Sequence, residues 1–133
     1  MKFFDKVGLA IVRDKRVLVT LEVDSAGKYF IPGGRIERGE TDIRALEREI
    51  LEELGVKIKK SSLKYFDTFE DVATTDTNAK VRIKLFTGDV LGEFKVSNEI
   101  KEIFWFGRND DWHKLGIIDK NKIFPALKEK GLI

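Results

Sequence analysis

The chain has 133 residues, of which 42% are hydrophobic and 36% are charged, with a net charge of +2 and no cysteine. This balance predicts one folded domain over residues 1–133 and excludes a disulfide framework, a thiolate metal site and a cysteine nucleophile. The net charge is too small to indicate nucleic-acid binding by itself, and no apolar run is long enough to cross a bilayer. Because charged residues also interrupt the N-terminal segment, the sequence predicts a cytoplasmic protein.

Three short strands are predicted ahead of the first helix. Two apolar runs, 7–12 and 17–23, are separated by a polar connection of hairpin length at 13–16. A turn cluster then precedes a short strand at 28–31, which the Pro-Gly-Gly segment 32–34 is expected to end. We expect the two glycines of this segment to form a turn that lets backbone carbonyls approach a ligand.

The strongest helix prediction covers residues 42–54. Thr41 can accept a hydrogen bond from the first turn, Asp42 suits the positive end of the helix dipole, and Gly55 suits the C-terminal cap. Further strands are predicted at 64–69, 81–90 and 103–106, and a short helix at 125–130. Strands around one central helix, with a second helix at the end, predict a mixed α/β domain.

The central helix is expected to have an apolar face and an acidic face. At about 100° per residue, the apolar stripe and the acidic cluster fall on different sides: the stripe is Ile43, Leu46, Ile50 and Leu54, and the cluster is Glu49, Glu52 and Glu53. Ala45 lies on the acidic side and is expected to leave open space above it, while Arg48 is expected to point to one side. Crowded carboxylates repel each other, but together they can bind Mg²⁺ or Mn²⁺, so the cluster predicts a metal site. The alternative interpretation is an acidic helix face that is only solvated.

Residues 34–56 match a long motif. Gly34 is followed after five residues by Glu40 and after seven more by Arg48-Glu49-Ile50, and the motif ends with Glu52-Glu53, Gly55 and Val56. This pattern resembles the Nudix box, G-x5-E-x7-R-E-U-x-E-E-x-G-U with U a bulky aliphatic residue, and every fixed position is met. The chain is therefore similar to the Nudix hydrolases, and in particular to their MutT-like members.

The resemblance implies a fold and a reaction. The fold is an α/β/α sandwich with a mixed sheet and the box helix packed on it. The reaction is hydrolysis of a diphosphate linkage in a nucleoside diphosphate derivative, with Mg²⁺ as the cofactor and Mn²⁺ as a substitute. The implied metal ligands are the backbone carbonyl of Gly33 and the side chains of Glu49, Glu52 and Glu53.

The same resemblance implies catalytic residues. Arg48 resembles the box arginine that orients a catalytic glutamate, and Glu40 takes the position that supports the loop. MutT-like proteins also use an acidic residue six positions before a strand tryptophan; Glu99 stands six before Trp105, with Glu102 as the nearest rival. A helix glutamate or Glu99 would be the base. The predicted catalytic residues are therefore Arg48, Glu52, Glu53 and Glu99.

Substrate contacts are less specific in the sequence. Arginines in the box loop and on a later strand are candidates for binding substrate phosphate: Arg35, Arg38 and Arg82, with Lys84 as a similar candidate. Phenylalanines are mostly expected in the core, and three of them are candidates for stacking on a base: Phe4, Phe69 and Phe86. His113 is the only histidine and has no ligand partner at a recognisable spacing, so it is expected to be a surface or packing residue.

The substrate prediction relies on missing motifs. The proline typical of many ADP-ribose hydrolases would fall near Glu70, and none occurs between Gly55 and Pro125. The leading hypothesis is a pyrophosphatase of normal or oxidised nucleoside triphosphates that releases a nucleoside monophosphate. ADP-ribose or nucleotide-sugar hydrolysis is the alternative reaction, and a non-catalytic nucleotide-binding regulatory module is an alternative of another class. A nucleic-acid substrate is not favoured, and a homodimer is left open.

Overall fold

The computed structural model describes residues 2–133, whose strands form two four-stranded sheets. The first sheet has the order β5-β1-β7-β6, in which β1 and β7 run parallel and the other neighbours run antiparallel. Its strands are β1 Lys2–Ala10, β5 Gly33–Arg35, β6 Lys57–Val72 and β7 Ala79–Leu91. In the second sheet β3 pairs antiparallel with every other member. The strands of that sheet are β2 Val12–Arg13, β3 Arg16–Glu22, β4 Tyr29–Phe30 and β8 Ile100–Gly107.

Helix α1 spans Asp42–Leu54, as predicted. The Thr41 hydroxyl accepts a hydrogen bond from the Arg44 N–H at 3.2 Å, which satisfies one free donor of the first turn. Gly55 ends the helix in the left-handed conformation, with φ of 66°, and donates its N–H to the Leu51 carbonyl. The expected apolar stripe is confirmed, since Leu46, Ile50 and Leu54 are fully buried and Ile43 packs partly buried against them.

The two helices pack against separate hydrophobic cores. The face of α1 contacts β1 residues such as Val7 and Leu9. A π-helical turn, Asp119–Ile123, leads into α2 Phe124–Glu129, and Phe124 packs in a second core with Val17 and Phe106. This arrangement matches the expected layering of helices and mixed sheet. Within residues 2–133, no helix is both long and apolar enough to span a membrane.

Several expectations about local structure are wrong. Gly33–Arg35 is a strand rather than a turn, because Gly33 and Gly34 pair antiparallel with β1. Ala45 leaves no open space above the helix; it is fully buried, and its small side chain packs within the first core. Strand β6 is much longer than the predicted 64–69. The prediction was too short because an irregular register after Lys59 interrupts the alternation of residues by which a strand is recognised in a sequence.

Gly55→Ala is expected to destabilise the helix that carries the glutamates. An added Cβ would lie 2.4 Å from the Lys95 carbonyl oxygen, so a clash adds to the strain of a left-handed residue. We expect the free energy of unfolding, measured by urea denaturation, to fall by more than the roughly 1–2 kcal/mol of that strain. Gly27→Ala is the matched control, because φ there is +75° and no atom lies within 4 Å of the added Cβ. Equal losses in the two variants would contradict a role for the clash.

Candidate active site

The glutamate face of α1 borders a cavity beside β1 and β5, here named the carboxylate cavity. Five carboxylates and a strand glycine from separate parts of the chain line this cavity: Glu22, Glu49, Glu52, Glu53, Glu99 and Gly33. The structure thus brings together all four predicted metal-binding residues and the predicted catalytic Glu99. Glu22 is an addition that the motif did not indicate.

Glu53 is the most buried of these carboxylates. Glu53 is only 8% exposed. Its Oε1 accepts a hydrogen bond from the Gly33 N–H at 3.3 Å, while its Oε2 has no hydrogen-bond partner among residues 2–133. The pKa of Glu53 is raised to about 9, mainly by burial and also by the nearby charges of Glu22 and Glu49, against the opposing effect of the hydrogen bond from Gly33. A buried carboxylate oxygen with no donor nearby is a position that a cation would stabilise.

The position of the Glu49 side chain depends on the close approach of strand β5 to helix α1. A Cβ at Gly34 would lie 2.2 Å from the Glu49 Cδ, so any other residue there would displace the Glu49 carboxylate from its present position. Burial raises the pKa of Glu49, and the hydrogen bond from Arg48 opposes that rise. The box glycine is therefore explained by packing against a candidate metal ligand.

Arg48 does not point away from the acidic cluster, contrary to the expectation from helix geometry. Its guanidinium donates to Glu40 at 2.7 and 2.9 Å, to Glu49 at 2.8 Å and to the Arg35 carbonyl at 3.0 Å. The long side chain lets the guanidinium reach back over the loop that precedes the helix. Its hydrogen bonds hold the pKa of Glu40 down at about 2 and raise the pKa of Arg48 itself. Arg48 thus contacts Glu49, which is one of the predicted metal ligands.

The residues fit a divalent cation by their chemistry. They offer hard oxygen donors and one buried oxygen without a partner, which suit Mg²⁺ or a similar ion. Their side chains are not already gathered into a finished coordination sphere: among residues 2–133, no three acidic or histidine side chains converge closely enough for that. The contact between Arg48 and Glu49 directs one candidate ligand towards the guanidinium. Binding of a cation would therefore require these side chains to reorient.

Glu22 was not predicted as a site residue because it lies outside the box, which covers residues 34–56. It is the last residue of β3 and pairs with Ile100, the residue after Glu99, and it lines the carboxylate cavity together with the helix glutamates. Burial raises the pKa of Glu22, Lys6 opposes the rise, and Glu99 and Glu49 add to it. The sequence feature that could have indicated Glu22 is a carboxylate at the end of an apolar strand. Carboxylates are also common at strand ends that have no functional role, so this feature is not specific.

A second cavity, here named the Asp119 cavity, adjoins the first. It has a volume of about 150 Å³ and shares Lys6, Glu22 and Gly33 with the carboxylate cavity. Asp119 is 1% exposed and accepts a hydrogen bond from the Ile31 N–H at 2.8 Å. Burial raises the pKa of Asp119 to about 7, against the opposing effects of that hydrogen bond and of Lys6. Asp119 was not predicted as a site residue because it precedes the predicted helix 125–130, in a segment where the sequence pattern indicated no element.

The predicted substrate-binding cations lie in different places. Arg35 lines the carboxylate cavity, whereas Arg38 lines a separate recess on the far side of the box loop. Arg82 forms an ion pair with Glu70 at 3.1 Å, and Lys84 donates to the first carboxylate of α1 at 2.9 Å. Neither Arg82 nor Lys84 lines the carboxylate cavity.

The remaining candidates are also placed by the structure. Glu102 accepts a hydrogen bond from the Tyr29 hydroxyl and does not line the carboxylate cavity, which leaves Glu99 as the better candidate. His113 is exposed at the surface, as expected. Of the three phenylalanines, Phe4 alone lines a cavity near the site; the others pack on aromatic rings, Phe69 on Phe66 and Phe86 on Tyr65.

Residues 2–127 match the sequence profile of the NUDIX domain, and the chain therefore belongs to the Nudix family of hydrolases. Members of this family generally use a divalent metal and act on small nucleotide substrates. The solved structure of a MutT NUDIX hydrolase from Burkholderia pseudomallei superposes with a TM-score of 0.76 at 24% identity, covering 96% of this chain and 98% of that one. The Escherichia coli ORF135 protein gives 0.74 at 23% identity, covering 98% and 94%.

Two sequence relatives match over shorter segments. A Mycobacterium tuberculosis protein provisionally named 8-oxo-dGTP diphosphatase 2 is 46% identical over 52 residues. The Escherichia coli CTP pyrophosphohydrolase is 37% identical over 60 residues. These alignments span 37% of the mycobacterial protein and 44% of the Escherichia coli protein, so they support a relationship over less than half of each relative.

Gly34→Ala is expected to reduce turnover while leaving the fold intact. The added Cβ would displace the Glu49 carboxylate from its position beside Arg48. Because small displacements of a reacting group can cost about 100-fold, we expect kcat to fall by roughly that factor. The rate should be measured beside a thermal melt, with Gly39→Ala as a control because no atom lies within 4 Å of a Cβ there. Turnover that matches wild type would argue against the need for this close approach.

Asp119→Asn is expected to change how stability depends on pH. The pKa of Asp119 rises on folding from 3.8 to about 7, so the folded state holds this proton more tightly than the unfolded state. The free energy of unfolding of the wild type therefore falls as the pH rises from about 4 to about 7. Asparagine does not titrate, and its amide oxygen can still accept from Ile31.

Urea denaturation at pH 4, 5, 6, 7 and 8 measures this effect. The stability of Asp119→Asn relative to wild type should rise with pH up to about 7, by an amount on the order of a few kcal/mol, and then level off. A difference that stays constant over the whole range would show that Asp119 keeps an ordinary pKa.

Proposed function

We propose that the chain is a pyrophosphatase of nucleoside triphosphates that releases a nucleoside monophosphate, with oxidised or other non-standard nucleotides as its preferred substrates. The observation that carries this proposal is that the carboxylate cavity and the Asp119 cavity share Lys6, Glu22 and Gly33. A phosphate chain can lie in the first cavity while the base enters the second. We further propose that residues 1–133 act as a single catalytic domain, in the cytoplasm.

The Asp119 cavity has the composition of a base-binding pocket. Phe30, Ile83 and Ile123 supply apolar walls, and Asp119 supplies one buried carboxyl group. A protonated carboxyl offers a donor beside an acceptor, and an ionised one offers acceptors only. Such a group distinguishes bases by the donors and acceptors on their edges. The relatives named for 8-oxo-dGTP and CTP hydrolysis support a nucleotide substrate without fixing the base.

The metal in this proposal is Mg²⁺, with Mn²⁺ as a substitute. Glu49, Glu52, Glu53 and the Gly33 carbonyl would hold it, and when bound it would neutralise the diphosphate charge and lower the pKa of a water molecule. Arg48 positions Glu49 through the hydrogen bond at 2.8 Å. Glu99, which also lines the cavity, remains an alternative to the helix glutamates as the general base.

Hydrolysis should be assayed with Mg²⁺ against normal and 8-oxo nucleoside triphosphates, CTP, ADP-ribose, nucleotide sugars and dinucleoside polyphosphates. We expect metal-dependent release of a nucleoside monophosphate from a triphosphate. Glu53→Gln should keep the fold and reduce kcat by at least roughly 100-fold, because it removes a candidate ligand and base. Glu102→Gln is the control, since it makes the same chemical change at a carboxylate of β8 that does not line the cavity.

The other outcomes separate the alternatives. Faster hydrolysis of ADP-ribose or a nucleotide sugar would replace the proposed substrate. Full activity of Glu53→Gln with unchanged metal dependence would overturn the proposed ligand set. Nucleotide binding without turnover by a folded, metal-binding protein would favour the regulatory module, although all of the box glutamates are present.

A further inference from the structure

Two cations face each other directly across the ladder between β1 and β5. Lys6 is the register partner of Arg35 in this antiparallel pair. Side chains at such positions lie with Cβ atoms about 4.5–5.5 Å apart, so like charges there destabilise the sheet. Among residues 2–133, neither side chain forms an ion pair. The fold therefore keeps two cations together although, among residues 2–133, neither has an ion-pair partner within 4.0 Å.

The pair lies where the cavities meet. Lys6 lines the carboxylate cavity, the Asp119 cavity and a third cavity beside Phe4. Arg35 lines the first and the third of these. The ammonium of Lys6 favours the charged forms of both Glu22 and Asp119, which agrees with its position between the two sites. A molecule that extends from the carboxylate cavity into the Asp119 cavity passes Lys6, which lines both, and Arg35 lies opposite Lys6 on the neighbouring strand.

Arg35 is held in place from two directions. Its guanidinium carbon lies 4.1 Å from the centre of the Phe4 ring, and its backbone carbonyl accepts a hydrogen bond from Arg48 at 3.0 Å. Stacking on the ring occupies the face of the guanidinium and leaves its N–H edge for an acceptor. The Arg35 side chain is therefore preorganised, so that binding an anion costs it little further conformational entropy.

We propose that Lys6 and Arg35 form a clamp for the phosphate chain of the substrate, at the boundary between the carboxylate cavity and the Asp119 cavity. This inference rests on the proposed function in one respect, namely that the substrate carries such a chain. Five glutamates line the carboxylate cavity and repel a polyphosphate, so cations are needed to hold it there. Arginine can bind two phosphate oxygens through its fork, and lysine adds a compact charge.

The clamp can be tested by binding as well as by turnover. Inorganic pyrophosphate with Mg²⁺ is the probe, and its affinity is measured by calorimetry and by the rise that it causes in the melting temperature. Lys6→Met and Arg35→Met keep the length of each side chain but remove its charge. Each should weaken pyrophosphate binding roughly 10- to 100-fold, with KM for the nucleotide raised and kcat changed little. Lys6→Arg and Arg35→Lys should restore most of the affinity.

Two further measurements make the test specific. Without ligand, the methionine variants should melt at the same temperature as wild type or higher, because the repulsion between the two cations is removed. Lys80→Met and Arg108→Met are matched controls, since both residues are exposed and line none of the three cavities. These controls should leave pyrophosphate affinity unchanged.

The outcomes distinguish the clamp from the proposed function. Equal losses of affinity in the controls would overturn the clamp and indicate only a general effect of charge. Unchanged pyrophosphate affinity in both methionine variants would also overturn it, even if nucleotide turnover fell. If wild type hydrolyses no nucleoside triphosphate but its pyrophosphate affinity depends on Lys6 and Arg35, the clamp is supported and the proposed substrate is wrong.

Discussion

The arrangement of the site depends on the hydrogen bonds of one guanidinium. Arg48 connects the helix to the preceding loop through Glu40 and the Arg35 carbonyl, and it reaches the cavity through Glu49. These are charge-assisted bonds, and the one to Glu40 uses two nitrogens. Because the group is partly exposed, its contribution to stability is modest. Its larger effect is geometric, since it fixes the strand, the loop and a candidate metal ligand relative to one another.

Helix α1 also holds the Glu53 carboxylate in a buried position, where its ionised form is unfavourable. Glu53 is buried with one oxygen that has no partner, and its pKa rises to about 9 as a consequence of burial and of neighbouring carboxylates. The opposite face offsets this cost, because Leu46, Ile50 and Leu54 are fully buried and each contributes about 1.5–3 kcal/mol. The helix can therefore hold acidic groups close together without losing its position on the sheet.

The parts of the fold and site that could be predicted from the sequence are those whose determinants are local. The caps Thr41 and Gly55 and the spacing of the glutamates lie within one helix, so α1 and its two faces could be predicted. Gly33 and Gly34 were predicted as a turn because their pairing partners lie far away in β1. Glu22 and Asp119 could not be predicted as site residues, since only the pairing of β3 with β8 and the packing of the π-helical turn bring them to the cavities.

This difference separates the reaction from the choice of substrate. The groups suited to phosphoanhydride hydrolysis are concentrated in one continuous segment, so a motif can identify them. Those suited to recognition, such as Lys6, Phe30 and Asp119, come from two strands and the turn before α2. Because these residues share no sequence segment, substitutions at each could alter the base or the phosphate contacts without disturbing the Arg48 network. A chain with a complete box can consequently differ from its relatives in substrate while keeping their chemistry.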